Sequence, residues 1–151
     1  MVASVHAFGP VDLLDDYPGY YWYGVHIASI IYSLMGTGCI NVKVSNHTDL
    51  TDSIVANWKD DRTAQLTGMR LVGGHDWGAD IYLPDKVLQT KAKNKPPGYK
   101  MLLKDIVKFF KTGKSPIEVK EMVEIMAFLE AINESLNSGE RINLETIMKK
   151  N

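Results

Sequence analysis

The sequence predicts an α+β domain in which helices cover one face of an open, mainly antiparallel sheet. In the first half of the chain, apolar and polar residues alternate over short segments that turn residues separate, as they do in strands. In the second half the apolar residues recur at intervals of three and four, as they do in helices. Short turns between consecutive strand segments favour antiparallel pairing, because a parallel pair needs a long crossover.

The strand segments are rich in β-branched residues and end at turn residues. They are predicted at residues 2–8, 40–47, 52–59, 63–72 and 79–85. The segments 52–59 and 63–72 flank Asp60 and Asp61, and this arrangement predicts a β-hairpin.

Three helices are predicted from the apolar spacing. The first lies in "WYGVHIASIIYSLMG", residues 22–36, and stops at Gly36. The second covers residues 99–112 and stops at Gly113. The third covers residues 116–138, with Ser115 as its N-cap and Gly139 as its stop.

Composition limits the classes of function. A chain of 151 residues with 45% apolar and 23% charged residues predicts one globular domain over residues 1–151. Its 17 basic residues nearly balance 18 acidic ones, which argues against a nucleic-acid or membrane-surface partner. The lone cysteine, Cys39, cannot form an internal disulfide, and the Cys/His spacing predicts no metal site. No apolar run is long enough to cross a bilayer, so we expect a cytoplasmic protein.

Chemical motifs are few. Neither the dinucleotide-binding pattern GxGxxG nor the P-loop pattern occurs, so the chain itself is predicted to hold no cofactor. Other polar residues are predicted to serve in turns, strand edges or solvated helix faces. They are His75, Asp76 and Asp80 in a glycine-rich turn, His6 and His47 in strands, and Glu130 with Glu134 on the third helix.

His26 is the one candidate for chemistry. It stands near the start of the first helix, two residues after Gly24 and three before Ser29, where a side chain can point out of the core into a cleft. Composition alone favours a structural histidine, because no Asp, Cys or Ser partner stands beside it in the sequence.

A resemblance to a known family strengthens the functional alternative. The stretches "YGVHIASIIYSLMG", "VANWKDDRTAQLTGMR" and "LLKDIVKFFKTGKSPIEVKEMVEIMAFLEAINESLNSGERINL", which follow a strand ending in "GP", occur in the order typical of one domain. Together they resemble the C-terminal domain of the Gfo/Idh/MocA oxidoreductases, the group of glucose-fructose oxidoreductase and inositol dehydrogenase. The resemblance implies an open sheet like that of the glyceraldehyde-3-phosphate dehydrogenase C-terminal domain. It also implies a partner, an N-terminal Rossmann domain outside this sequence that binds NAD or NADP.

The same resemblance implies a site. In the family the first helix reads D-x-G-x-H, and the histidine lies at the reacting hydroxyl of the substrate. Gly24 and His26 match this pattern, but Trp22 replaces the aspartate and Ser29 stands where an acid is frequent. His26 is therefore the implied catalytic residue, and Trp22 and Tyr23 are the implied substrate contacts, since Trp22 can stack on a sugar face.

Three functions remain open at this point. The first is the substrate-facing and oligomerising domain of an NAD(P)-dependent oxidoreductase that acts on a sugar or polyol hydroxyl and is not catalytically competent alone. The second is a stand-alone, non-catalytic binding or interaction module, which the replacement of the family aspartate by Trp22 favours. The third has the cofactor domain supplied by a separate polypeptide.

Oligomerisation is expected because strand residues such as Ile54 and Val55 place apolar groups on both faces of the sheet. The helices at 99–112 and 116–138 can cover only one face. We therefore expect a homodimer, or a dimer of dimers, that forms through the open sheet face.

Overall fold

A computed structural model describes residues 1–12, 16, 18–70, 76–92 and 97–150. The strands are β1 (Ser4–Pro10), β2 (Cys39–His47), β3 (Thr51–Trp58), β4 (Thr63–Met69), β5 (Gly78–Tyr82), β6 (Val87–Lys91) and β7 (Ile142–Asn143). The helices are α1 (Gly24–Met35), α2 (Gly98–Thr112), α3 (Val119–Ser138) and α4 (Leu144–Lys150), and a 3₁₀ turn at Gly19–Tyr21 precedes α1.

The strands form one seven-stranded sheet in the order β6-β5-β1-β4-β3-β2-β7. Every pair is antiparallel except β1 and β4, which run parallel from Ser4 beside Thr63 to Pro10 beside Met69. The predicted α+β class with an open, mainly antiparallel sheet is confirmed. The parallel pair was not predicted, because β1 pairs with a strand that follows only after α1, β2 and β3.

The predicted hairpin is present as β3 and β4, whose register runs from Thr51 beside Met69 to Asn57 beside Thr63. Asp61 closes its turn with φ of 63°, in the left-handed region that aspartate tolerates better than most residues. The Trp58 amide donates to the Arg62 carbonyl across the turn at 2.8 Å. A non-glycine residue therefore suffices for this turn.

The core lies between one sheet face and the helices α1 and α3. Alternate strand residues point into it and are buried, as the pattern of β3 shows. Its largest buried side chains include Trp58, Tyr20, Tyr32, Phe128, Ile27, Ile31, Ile54 and Leu66. α1 packs chiefly on β1 and α3 on β2.

The other face of the central strands is mostly polar, contrary to the expectation of apolar groups on both faces. Phe8, Pro10, Val55 and Met69 are partly buried apolar residues of this face, but the other residues there are polar. They include Ser4, His6, Ser53, Asn57, Thr63, Gln65 and Thr67. The large exposed apolar side chains lie instead mainly on α2 and α3.

Helix α2 occupies the predicted residues but does not cover the sheet as expected. Every residue from Gly98 to Thr112 is exposed. Most of its apolar residues lie on one side of the helix, and none of the described strands or helices buries them. The expectation that α2 shields the sheet is therefore wrong.

Helix α3 begins at Val119, three residues later than predicted. Glu118 is its N-cap and is extended, with φ of −71° and ψ of 144°. The Ser115 hydroxyl forms a local turn with Ile117 instead, because it donates to the Ile117 carbonyl at 2.6 Å and accepts from the Ile117 amide at 3.3 Å. Ser115 is therefore not the N-cap.

Within the described part of the chain, none of the helices is long and apolar enough to cross a membrane.

Candidate active site at the start of α1

The first turn of α1 carries His26 on its exposed side, while Ile27 and Ala28 enter the core. Gly24 makes this start possible. A Cβ at this position would lie 2.5 Å from Cδ1 of Tyr20, so only glycine lets α1 pack directly on the buried Tyr20 ring. The expected solvent accessibility of His26 is confirmed.

Four aromatic rings meet around this turn, and we call them the aromatic cluster: Trp22, Tyr23, His26 and Trp77. The His26 ring lies edge-on to Trp77 with centroids 5.2 Å apart, and edge-on to Tyr23 at 5.9 Å. Tyr23 and Trp77 are nearly parallel, with 5° between their planes and 6.0 Å between centroids. Trp22 is 41% exposed and meets Tyr23 edge-on at 5.7 Å. The cluster is an open aromatic surface with the imidazole between two rings.

Trp77 is the member that sequence reasoning missed. It lies just before β5 and packs over β1, where a Cβ on Gly9 would come within 2.3 Å of Trp77 Cδ1. Its indole Nε1 is buried and has no hydrogen-bond partner among the described residues. The glycine of β1 and the tryptophan of the glycine-rich segment are the features that could have indicated this contact.

The rest of that segment fits the turn interpretation only in part. His75 lies outside the described residues. Asp76 is exposed, and Asp80 lies within β5, where its carboxylate accepts from Gln89 Nε2 at 3.0 Å. Asp80 is therefore a strand residue and not a turn residue.

The imidazole of His26 has no side-chain hydrogen bond among the described residues. The Ser29 hydroxyl, one turn further on, donates to the Val25 carbonyl at 2.7 Å and so is committed to the helix backbone. The rings of Tyr23 and Trp77 pack against the imidazole edge-on.

A polar network around a buried carboxylate holds the segment before α1, and we call it the Asp52 network: Asp52, Arg70, Tyr20 and His47. Asp52 is fully buried at the start of β3. Arg70 donates to both of its carboxylate oxygens, at 2.6 and 2.8 Å, and the Tyr20 hydroxyl donates to Oδ2 at 2.6 Å. His47 Nδ1 lies 2.5 Å from Oδ1, so this histidine is more than the strand-edge residue that was predicted.

Burial and hydrogen bonds in the Asp52 network shift the pKa values of Asp52 and Tyr20 in opposite directions. Burial opposes the charge on Asp52, but hydrogen bonds from Arg70, Tyr20 and His47 outweigh it and lower the Asp52 pKa. Burial and the adjacent Asp52 charge raise the pKa of Tyr20. A charged Asp52 and a neutral Tyr20 are therefore the stable pair, and Tyr20 ties the start of α1 to the sheet.

Two glutamates expected on a solvated face have specific partners. Glu130 accepts from the Tyr21 hydroxyl at 2.7 Å, and burial together with Glu130 raises the pKa of Tyr21 to about 12. Glu134 pairs with Lys150 at 2.9 Å. Glu130 and Glu134 therefore each join α3 to another element of the fold.

The lone cysteine is not a reactive group. Cys39 is buried, and burial followed by the nearby Glu124 charge raises the pKa of its thiol to about 12. Within the described residues, no group of three or more His, Cys, Asp or Glu side chains could hold a metal ion.

The strand–helix unit formed by β1 and α1 differs from a dinucleotide-binding site in the surroundings of its glycines. Such a site needs open glycine backbone at the helix start for the pyrophosphate. Here Tyr20 fills the space beside Gly24, and Trp77 covers Gly9. Aromatic side chains therefore fill the space beside both glycines of this strand–helix unit.

Known proteins resemble this chain in structure but not in sequence. No protein-family model and no curated protein sequence matches the chain. Solved structures do match. A probable dehydrogenase from Thermotoga maritima superposes with a TM-score of 0.74 at 16% identity, over 95% of this chain and 56% of that one. The WlbA dehydrogenase from Bordetella pertussis, solved with NADH and UDP-GlcNAcA, gives 0.71 at 15% identity, over 94% and 54%.

A scyllo-inositol dehydrogenase from Lactobacillus casei, solved with NAD(H) and scyllo-inositol, gives a TM-score of 0.68 at 9% identity, over 95% and 57%. This chain has the fold of the C-terminal domain of Gfo/Idh/MocA-type oxidoreductases. It spans little more than half the length of the Gfo/Idh/MocA-type structures that it matches. The resemblance inferred from the sequence is confirmed at the level of the fold.

Proposed function

We propose that this chain is the substrate-facing domain of an NAD(P)-dependent oxidoreductase that acts on a hydroxyl of a sugar or polyol. The observation that carries the proposal is the exposed His26 held between Tyr23 and Trp77 at the start of α1. Two matching structures were solved with UDP-GlcNAcA and with scyllo-inositol, and these ligands support the substrate class.

Each member of the aromatic cluster has a role in the proposed reaction. His26 accepts the proton of the substrate hydroxyl, since an imidazole nitrogen with a free lone pair can act as a general base. Trp77, Tyr23 and Trp22 offer ring faces to the C–H groups of the sugar, which are the apolar part of such a substrate. The N-terminal end of α1 adds a positive dipole that favours the oxygen as it loses its proton. Hydride transfer belongs to the cofactor domain, so this chain alone is proposed not to bind NAD(P)H.

An alternative is a non-catalytic binding module with the same fold. Trp22 in the place of the family aspartate, and the Ser29 hydroxyl committed to Val25, favour it because the imidazole has no acidic partner among the described residues. A reading frame with GxGxxG directly upstream of this one in the genome, or beside it as a separate frame, supports the oxidoreductase. The absence of both supports the binding module.

Oligomerisation through the open sheet face remains part of the proposal. The face is polar, so such an interface would rest on hydrogen bonds from side chains such as Asn57, Gln65 and Thr67 rather than on an apolar patch.

Saturation-transfer NMR on this chain with myo-inositol, D-glucose and NADH tests the proposal. We expect transfer to C–H protons of the polyol or the sugar and none to NADH. Trp77→Leu and His26→Ala should each weaken the polyol or sugar signal at least about tenfold, since each removes part of the aromatic surface.

His6→Ala is the matched control, because His6 lies on the opposite face of the sheet. Circular dichroism checks that each variant is folded. No transfer to myo-inositol or to D-glucose would contradict a substrate site at the aromatic cluster. Equal transfer in all three variants would contradict it too.

A further inference from the structure

A polar cavity of about 420 Å³ lies between the 3₁₀ turn, the end of β2 and one side of α3, and we call it the α3 cavity. Its lining residues are Pro18, Gly19, Tyr21, His47, Glu130, Asn133, Leu136 and Asn137. Among the described residues, none lines both this cavity and the aromatic cluster. Its volume is in the range of small-molecule sites, so we asked which ligand its polar groups fit.

His47 lines the α3 cavity with an imidazole that a buried carboxylate orients. Its side chain is 53% exposed, whereas Asp52 is fully buried. The lowered pKa of Asp52 keeps it charged, so both of its oxygens can only accept hydrogen bonds. His47 Nδ1, which lies 2.5 Å from Oδ1, therefore carries the proton. Nε2 of the neutral ring then offers a lone pair, to which none of the described residues donates.

Glu130 brings a negative charge to the cavity. The Tyr21 hydroxyl donates to its Oε2 at 2.7 Å, and Oε1 accepts from none of the described residues. Burial and the bond to Glu130 raise the pKa of Tyr21 to about 12, so the phenol stays a donor at neutral pH. The described lining residues include no lysine and no arginine. A ligand in the cavity therefore meets two open acceptors, Glu130 Oε1 and His47 Nε2, and an uncompensated carboxylate charge.

Two asparagines of α3 add hydrogen-bond donors on the same side of the helix. Asn133 Oδ1 accepts from the Tyr20 amide at 2.9 Å, which leaves its NH₂ group for a ligand. Asn137 is exposed, and its amide can donate and accept. Leu136 and Pro18 supply apolar contacts for C–H groups. Hydroxyl groups on a short carbon chain match this combination.

We propose that the α3 cavity binds a small polyhydroxylated ligand that carries a primary ammonium group, such as an amino-polyol. The ammonium donates to Glu130 and His47, and the hydroxyls bond the amides of Asn133 and Asn137. The charge of Glu130 favours this class, because it strengthens the bond from an ammonium and repels an anion. The site is separate from the aromatic cluster and does not depend on the proposed oxidoreductase function.

Three ligands with the same carbon chain test the proposal. D-glucamine, D-glucitol and D-gluconate carry an ammonium, a hydroxyl and a carboxylate at the same terminal carbon. At about pH 7.5 an alkyl ammonium stays charged. The ring protons of His47, assigned in the NMR spectrum of the native chain, report binding at the cavity. We expect D-glucamine to shift them and to bind at least about tenfold more tightly than D-glucitol, with D-gluconate the weakest.

Glu130→Gln separates charge from shape, because glutamine keeps an oxygen that can accept from Tyr21. It should weaken D-glucamine at least about tenfold and change D-glucitol less than about twofold. Glu134→Gln is the matched control, since Glu134 lies on the same helix, pairs with Lys150 and does not line the cavity. It should leave the binding of both ligands unchanged. Circular dichroism checks that each variant is folded.

Several outcomes would overturn the proposal. They are the absence of any D-glucamine shift at His47, equal affinity for D-glucamine and D-glucitol, and equal losses in Glu130→Gln and Glu134→Gln. A D-glucamine response that is lost in Trp77→Leu but kept in Glu130→Gln would assign the ligand to the aromatic cluster, and it would overturn the proposal too.

Discussion

At the scale of single residues, Asp52 and Gly9 determine whether the aromatic cluster can form. Asp52 holds Tyr20, which supports the start of α1. Gly9 leaves the space in which Trp77 packs over β1. Neither residue belongs to the aromatic cluster, so both are positioning residues.

Replacing Asp52 by Asn should destabilise the fold by about 3 kcal/mol, because it leaves the Arg70 charge without its buried carboxylate. Urea unfolding at pH 7 measures this difference. Asp60→Asn is the control, since the Asp60–Arg62 pair is much more exposed and its loss should cost less than about 1 kcal/mol. Equal effects of the two substitutions would show that the Asp52 network does not hold the fold.

The same network gives a pH dependence with a defined sign. The folded-state pKa of Asp52 is lowered, so its stabilisation is fully present above the unfolded-state pKa of about 3.9. That stabilisation is lost as the pH falls from there through the folded-state pKa. Native stability should therefore drop below about pH 4 more steeply than the stability of Asp52→Asn. Parallel curves for the two proteins would rule out Asp52 as the titrating group.

Gly9→Ala should displace Trp77, because the new Cβ would lie 2.3 Å from Cδ1 of the indole. We expect a destabilisation of about 1–3 kcal/mol and a shift of the tryptophan fluorescence, as the ring leaves its packed position. Gly98→Ala is the control, since a Cβ there meets nothing within 4 Å, and it should leave both quantities unchanged. An unshifted spectrum in Gly9→Ala would mean that Trp77 does not pack on β1.

At the scale of elements, the β3–β4 hairpin combines a strong local pattern with one strained residue. Alternation in both strands sets the register that places the Asp52 network at one end of the sheet. Asp61 closes the other end with a positive φ.

Asp61→Gly should stabilise the chain by up to about 1 kcal/mol, because glycine adopts the left-handed conformation without a steric penalty. Thermal unfolding measures the change. Asp60→Gly, at a neighbour that does not have positive φ, should instead be neutral or destabilising. A gain of equal size at both positions would point to an effect of charge and not of backbone conformation.

At the scale of the whole molecule, apolar side chains divide into a buried core and an exposed helical surface. Phe128 of α3 is fully buried among Tyr32 and Trp58, whereas Phe110 of α2 is mostly exposed. The fold of one copy therefore depends on α1, α3 and the sheet but not on α2.

Phe128→Ala should cost about 3–5 kcal/mol of unfolding free energy, and Phe110→Ala less than about 0.5 kcal/mol. Both are measured by urea unfolding at a dilution where light scattering gives the monomer mass. A large cost for Phe110→Ala under these conditions would show that α2 belongs to the core of a single copy.

The sequence by itself determined the features that local periodicity encodes. The α1 helix, the β3–β4 hairpin, α2 and most of α3 follow from the spacing of apolar residues and from turn residues, and so does the exposed position of His26 at the start of α1. Motif order was enough to indicate the fold of the matching dehydrogenases.

Only the tertiary structure decided which distant segments meet. The parallel pairing of β1 with β4, the packing of Trp77 on His26, and the joining of Asp52, Arg70, Tyr20 and His47 each connect residues far apart in the chain. The exposure of α2 belongs with them, since an amphipathic pattern shows that a helix has an apolar side but not which surface covers it. The physical reason is that periodicity reflects neighbours along the chain, whereas these contacts depend on how whole elements pack against one another.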